Sequence, residues 1–121
     1  MSRLELDTAK LPSALVARLL GDIDMAVTPG LQVDLISAVD GHGPDCLVVD
    51  LGDVEYIDSS GIELLFRLHG ALTGDGTDLI VVAPPGSAAA RLLGLVALRD
   101  LGEIRPSLAE ALRTCSGSEP R

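Results

Sequence analysis

The 121-residue sequence predicts an α/β domain, with a mixed sheet of four to five strands and about four α-helices packed on it. Three observations point there. Short apolar runs rich in β-branched residues alternate with stretches of helical period. The order along the chain reads β β α β α β α β α. Strands that alternate with helices of this length build a parallel or mixed sheet. A hydrophobic content of 47% over 121 residues suits one core, expected to need neither metal nor disulfide clamps.

Leu4-Glu5-Leu6-Asp7 alternates with period two, Leu11-Pro12-Ser13 can turn, and Ala14 to Leu20 is an apolar run ending at Gly21, so the chain opens on a hairpin. Leu31, Leu35, Ile36 and Val39 recur at helical spacing, with Pro29 in a first-turn position and Gly41 as terminator. Cys46 to Leu51 is almost continuously apolar, the pattern of a central strand covered on both faces. Gly52 to Tyr56 reads as a polar loop. From Ser60 onward, Ile62, Leu65, Phe66, His69 and Leu72, widened by Leu64 and Leu68, predict a well-buried second helix.

Leu79 to Ala83 is a further strand, stopped by Pro84-Pro85-Gly86. Ser87 can cap a short helix through Leu93 that Gly94 ends. Val96 to Gly102 carries little pattern, and Glu103-Ile104-Arg105 is a weak strand. Ser107 and Glu110 have capping-box spacing and open a last helix to about Thr114. The expected organisation is one domain over residues 1–115 and a flexible C-terminal tail over 116–121.

Eighteen acidic residues against nine basic ones give a formal charge of -9, which repels phosphate backbones and anionic lipid, so no nucleic-acid partner is expected. No apolar stretch approaches the roughly 20 residues of a membrane span, and the first seven residues lack the apolar block of a signal peptide. The expectation is a cytoplasmic protein with no membrane insertion. Cys46 lies in an apolar run and Cys115 in the expected tail, with no C-x-x-C pair, which argues against a disulfide framework and a cysteine-based zinc site. No P-loop is present, and Gly74-Asp75-Gly76 lacks the further carboxylates of a calcium loop, so no cofactor is expected.

The most informative stretch is Val48 to Ile62, a buried strand followed by a polar loop and a helix start. Helix N-termini leave about four amide donors unpaired and carry partial positive charge. Ser59, Ser60 or Asp58 can accept from them. Ser60 with Glu63 reads as a capping box, which makes Ser60 the expected cap and leaves the Ser59 hydroxyl available to a partner. The plainer reading is that Asp58-Ser59-Ser60-Gly61 is only a cap with a permissive glycine.

A hydrophobic strand, a loop and then Ile57-Asp58-Ser59-Ser60-Gly61 running into Ile62 resembles the STAS family, the fold of anti-sigma factor antagonists. Gly21-Asp22-Ile23-Asp24 is a second match, to the family's Gly-acid-apolar-Asp turn between the second strand and the first helix. The order of elements agrees over nearly all of residues 3–114; Pro29-Gly30 and Val96 to Gly102 depart from the pattern.

The resemblance implies that Ser59, the first serine of the motif, is phosphorylated by the partner, an anti-sigma factor that is also a serine kinase. It further implies that the unphosphorylated protein binds this partner and frees its sigma factor, and that a serine phosphatase resets the switch. Asp24, Asp58, Ser59, Ser60 and Gly61 are the candidate partner-binding residues. Asp58 reads either as orienting the Ser59 hydroxyl or contacting the kinase site, or as capping the helix, and Asp24 likewise has a partner contact or a plain turn role. Gly61 reads as a backbone necessity. The alternative is a non-phosphorylated STAS scaffold subunit of a lipid-transport or stressosome-like assembly.

An enzyme is not expected. A serine hydrolase needs a base about 3 Å from its nucleophile. His69 lies roughly 15 Å along the second helix from Ser59, and His42 stands at the far end of the central strand, roughly 20 Å long.

Overall fold

A computed structural model describes residues 4–94 and 103–117. Two antiparallel strands, β1 (Leu4–Lys10) and β2 (Ala14–Ile23), are followed by α1 (Thr28–His42), β3 (Cys46–Ile57), α2 (Ser59–Gly74), β4 (Asp78–Val82), α3 (Ala88–Leu93), β5 (Glu103–Arg105) and α4 (Leu108–Gly117). The five strands lie in the order β1-β2-β3-β4-β5, and every pair after the first is parallel. This is the expected α/β architecture, with β3 at its centre. The weakly patterned segment Val96 to Gly102 and the last four residues of the expected tail, 118–121, lie outside the described residues.

Alternation along the strands divides the apolar residues between two faces. Leu15, Ala17 and Leu19 of β2, Leu47, Val49 and Leu51 of β3, and Leu79 and Val81 of β4 form the larger core with α1, α2 and α3. Ala14, Val16, Cys46, Val48, Ile80 and Val82 point to the other face, where Ala111 and Cys115 of α4 cover them. Burial on both faces explains the unbroken apolar run at Cys46–Val49.

Several boundaries differ from expectation for identifiable reasons. Gly43, with φ 65°, ends α1 by donating its N–H to the Val39 carbonyl, while Gly41 stays inside the helix. Gly52 to Ile57 is strand, not loop: Leu20, Gly21, Asp22 and Ile23 pair with Asp53, Val54, Tyr56 and Ile57 across two register shifts. The bulges insert extra residues on β3, which obscures period-two alternation in the sequence. Beyond Asp50, β3 has no β4 partner, so its second half runs on beside β2 alone.

Ser87 and Ser107 cap as expected, accepting from the amides of Ala90 and Glu110 at 3.1 and 3.2 Å. Helix α4 continues to Gly117, so Ser116 and Gly117 belong to it rather than to the expected tail. Cys115 is buried in α4 and forms a disulfide with Cys46, their Cα atoms 6.1 Å apart. The expectation of unbridged cysteines is overturned. Two cysteines 69 positions apart give no sequence signal of pairing, and only the docking of α4 on β3 brings them together.

Candidate functional site

Strands β2 and β3 end side by side, with Ile23 opposite Ile57 and the Asp58 amide donating to the Ile23 carbonyl at 3.3 Å. The chain therefore delivers Asp24 and Asp58 to the same end of the sheet. The half-buried Asp24 accepts from the Ala26 amide through Oδ1 at 3.0 Å, and its carbonyl accepts from Val27 and Thr28. That turn starts α1.

Asp58 is the N-cap of α2. Its backbone is extended, with φ -117° and ψ -170°, and its Oδ1 accepts from the Ser60 amide at 3.0 Å. The Ser60 hydroxyl donates to the same oxygen, and the Tyr56 hydroxyl stands 3.5 Å from Oδ2. Ser60 is therefore the second residue of the helix and not its cap, as the capping-box spacing had suggested. Asp58 outcompetes it because an extended residue just before the helix can turn its carboxylate back onto the amide two residues on, and because its negative charge suits the positive end of the helix.

Ser59 is the first residue of α2 and is exposed, whereas Ser60 is half-buried against Asp58. The Ser59 hydroxyl is engaged by none of the described residues. The helix amides are less available than the sequence suggests, because Asp58 Oδ1 takes that of Ser60 and the Asp58 carbonyl takes that of Gly61 at 3.0 Å.

Gly61 is buried under a requirement of space rather than of torsion. A Cβ there would stand 2.6 Å from Ile57 Cγ1, 2.8 Å from Ile57 Cδ1 and 3.2 Å from Ile23 Cγ2. The glycine lets the first turn of α2 settle onto the paired ends of β2 and β3.

Sequence reasoning missed three exposed large apolar side chains. Met25 is 74% exposed, Tyr56 51% and Phe66 37%. Phe66 had been assigned to the buried stripe of α2. The stripe consists instead of Ile62, Leu64, Leu65, Leu68 and Leu72, and Phe66 lies two turns beyond Ser59 on the outer side with Glu63. A stripe holding both Leu64 and Phe66 spans more than half the helix circumference, a signal that one of them had to face outward.

Neither histidine approaches Ser59. His42 ends α1, its Nε2 donating to the Leu11 carbonyl at 2.8 Å, and His69 lies ten positions along α2. Among the described residues, no three His, Cys, Asp or Glu side chains are grouped to hold a metal ion, and no helix is long and apolar enough to cross a membrane. The Arg18 guanidinium is held above its ordinary value by its hydrogen bond to Asp53 and then by that residue's charge. It lies on β2, outside the motif.

With this geometry in view, the STAS domain family model matches residues 5–111. The chain belongs to the STAS domain family. An anti-sigma factor antagonist from Mycobacterium paratuberculosis is similar in structure, with a TM-score of 0.83 and 29% identity over 94% of this chain and 95% of that one. The anti-sigma factor antagonist SpoIIAA in its unphosphorylated form is similar at a TM-score of 0.73 and 16% identity, covering 95% of this chain and 97% of that one. A sulfate transporter family protein from Wolinella succinogenes also shares the fold, at a TM-score of 0.58 and 18% identity over 78% of this chain and 81% of that one. No curated protein matches the sequence.

Whether the Asp58 cap acts through its hydrogen bond or through its charge can be separated experimentally. Asp58→Ala removes the cap and is expected to cost about 1 kcal/mol in urea denaturation, whereas Asp58→Asn keeps an accepting oxygen and costs only a few tenths. An equal loss for both variants would show that charge, not the hydrogen bond, is what the helix start requires.

Proposed function

We propose that this STAS domain is an anti-sigma factor antagonist, a non-enzymatic cytoplasmic regulator that binds a serine-kinase anti-sigma factor and releases the sigma factor it holds. In this reading Ser59 is the phosphoacceptor, and a serine phosphatase restores the binding form. The supporting observation is the exposed Ser59 at the first residue of α2, within the Ile57-to-Gly61 motif. Met25, Tyr56 and Phe66 supply contact area, and the charge of -9 favours a basic partner surface.

Phosphate adds about -1.5 to -2 charges at neutral pH. Because Asp58 already occupies the Ser60 amide, the added charge meets carboxylates of Asp58 and, one turn on, Glu63, and is not fully cradled by the helix. The fold survives, since Ser59 is exposed and the cap is Asp58. Binding does not, because a like-charged, desolvated contact across an interface costs several kcal/mol.

The test is incubation with a cognate kinase anti-sigma factor and ATP, followed by mass-spectrometric mapping. Phosphate on Ser59 is the expected result. Ser59→Ala should bind with near-native affinity and resist modification, and Ser59→Asp should bind about tenfold or more weakly, a loss of about 1.4 kcal/mol or more. Intact binding with no phosphate on Ser59 would point to a scaffold role, and unchanged affinity in Ser59→Asp would remove charge control.

A further inference from the structure

We propose that Cys46 and Cys115 are a redox-operated latch that clamps α4 to the sheet when oxidised and lets it detach when reduced. The latch is separate from Ser59: Cys46 begins β3, whereas Ser59 follows the other end of that twelve-residue strand.

Among the described residues, helix α4 is held to the sheet mainly by a small apolar contact. It has ten residues, short of the roughly 12–15 at which an isolated helix becomes even marginally stable. Among its residues of described burial, Ala111 and Cys115 are fully buried against the sheet, with Leu108 and Leu112 partly covered. Among the described residues its polar attachments include the Ser107 cap, the hydrogen bond from Arg105 Nε to Thr114 Oγ1 at 2.8 Å and a 3.8 Å contact of Cys115 Sγ with the Ser13 carbonyl, which tie α4 to its own leading turn, to β5 and to the turn before β2. The Cys46–Cys115 bond is the covalent link to β3.

Beneath α4 lie Ala14, Val16, Val48, Ile80 and Val82, an apolar face that detachment uncovers. Both cysteines also border surface clefts. Cys46 and Thr114 line one of about 230 Å³, and Cys115, Leu112 and Ser13 line another of about 370 Å³. Both cysteines are themselves buried, so a small thiol reaches the bond from these clefts only as α4 shifts.

The chemistry is thiol–disulfide exchange with a dithiol. One thiolate of the reagent attacks a cysteine sulfur and breaks the S–S bond, and the departing cysteine thiolate takes up a proton. The reagent's second thiol then displaces the mixed disulfide. The protein gains two electrons and two protons and holds two thiols; the dithiol ends as its own disulfide. In the reducing cytoplasm proposed above, such a bond persists only when conditions turn oxidising, which makes it a sensor rather than a passive strut.

The experiment treats the oxidised full chain with dithiothreitol in the absence of denaturant, counts thiols by iodoacetamide alkylation and mass spectrometry, and follows amide hydrogen exchange. Two alkylated cysteines are expected, with exchange in Leu108–Gly117 accelerated about tenfold or more while amides of Ser59–Gly74 keep their protection. Reoxidation by an oxidised small dithiol, which takes up the two electrons and two protons as the protein bond re-forms, should restore the original pattern. The proposal is overturned if the cysteines stay unreactive until the whole protein unfolds, or if reduction leaves α4 as protected as before. A chain carrying both Cys46→Ala and Cys115→Ala should match the reduced protein; if that variant does not fold, the reduced native chain alone decides. None of these readouts depends on phosphorylation, so they stand or fall apart from the role of Ser59.

Discussion

Breaking the Cys46–Cys115 bond lowers the free energy of unfolding by about 2–4 kcal/mol, whether by reduction or by paired alanine substitution. The bond joins residues 69 positions apart and so restrains a large share of the unfolded chain. Loop-closure entropy for a loop of that size corresponds to about 4 kcal/mol, and measured losses for native disulfides fall mostly at or below this figure. Against a total stability of about 5–15 kcal/mol, such a loss is large and shifts the thermal midpoint by roughly 10 °C. Urea titrations with and without reductant measure it directly. Coincident midpoints would mean that the bond does not restrain the unfolded chain. A changed slope instead of a changed midpoint would mean that it mainly alters how compact that state is.

This bond also marks where sequence reading stops. The unbroken apolar run of β3 predicts burial on both faces, and the S-x-x-E spacing at Ser107 and Glu110 predicts the start of α4. Neither says which turn of α4 lies over which residue of β3, because that depends on how a helix settles on a twisted sheet. Composition then argued in the wrong direction, since two distant cysteines without a local motif resemble unpaired ones.

The site divides in the same way. The strand-to-helix order and the Ile57-to-Gly61 motif place Ser59 at a helix start, and the structure puts it there, exposed. Local competition was harder to read. Asp58 and Ser60 are both good capping residues, and the choice between them turns on the backbone of Asp58, which the bulged end of β3 holds extended. The same bulges hide Gly52 to Ile57 as strand, because glycine and acidic residues have low strand propensity and the missing alternation removes the remaining cue.

Gly61→Ala reverses the usual sign of a glycine substitution in a helix. At an open helical position, alanine is expected to stabilise by about 0.5–1 kcal/mol. Here the new methyl falls 2.6 Å from Ile57 Cγ1, a contact too close to persist. Ile57 cannot readily yield, since its β-branched side chain is stiff about χ1 and is held in the core beside Ile23. The expected outcome is a loss of about 1–3 kcal/mol, the usual range for overpacking. A double-mutant cycle identifies the cause. In an Ile57→Ala background both the 2.6 and the 2.8 Å contacts vanish, so Gly61→Ala should become far less harmful, with a coupling of about 1 kcal/mol or more. If the cost of Gly61→Ala were the same in both backgrounds, the glycine would be serving the backbone and not the close approach. Because the first turn of α2 rests on this contact, the single variant should also displace Ser59. Its phosphorylation by a cognate kinase should slow even in molecules that remain folded, whereas the Ile57→Ala, Gly61→Ala pair should recover part of the rate.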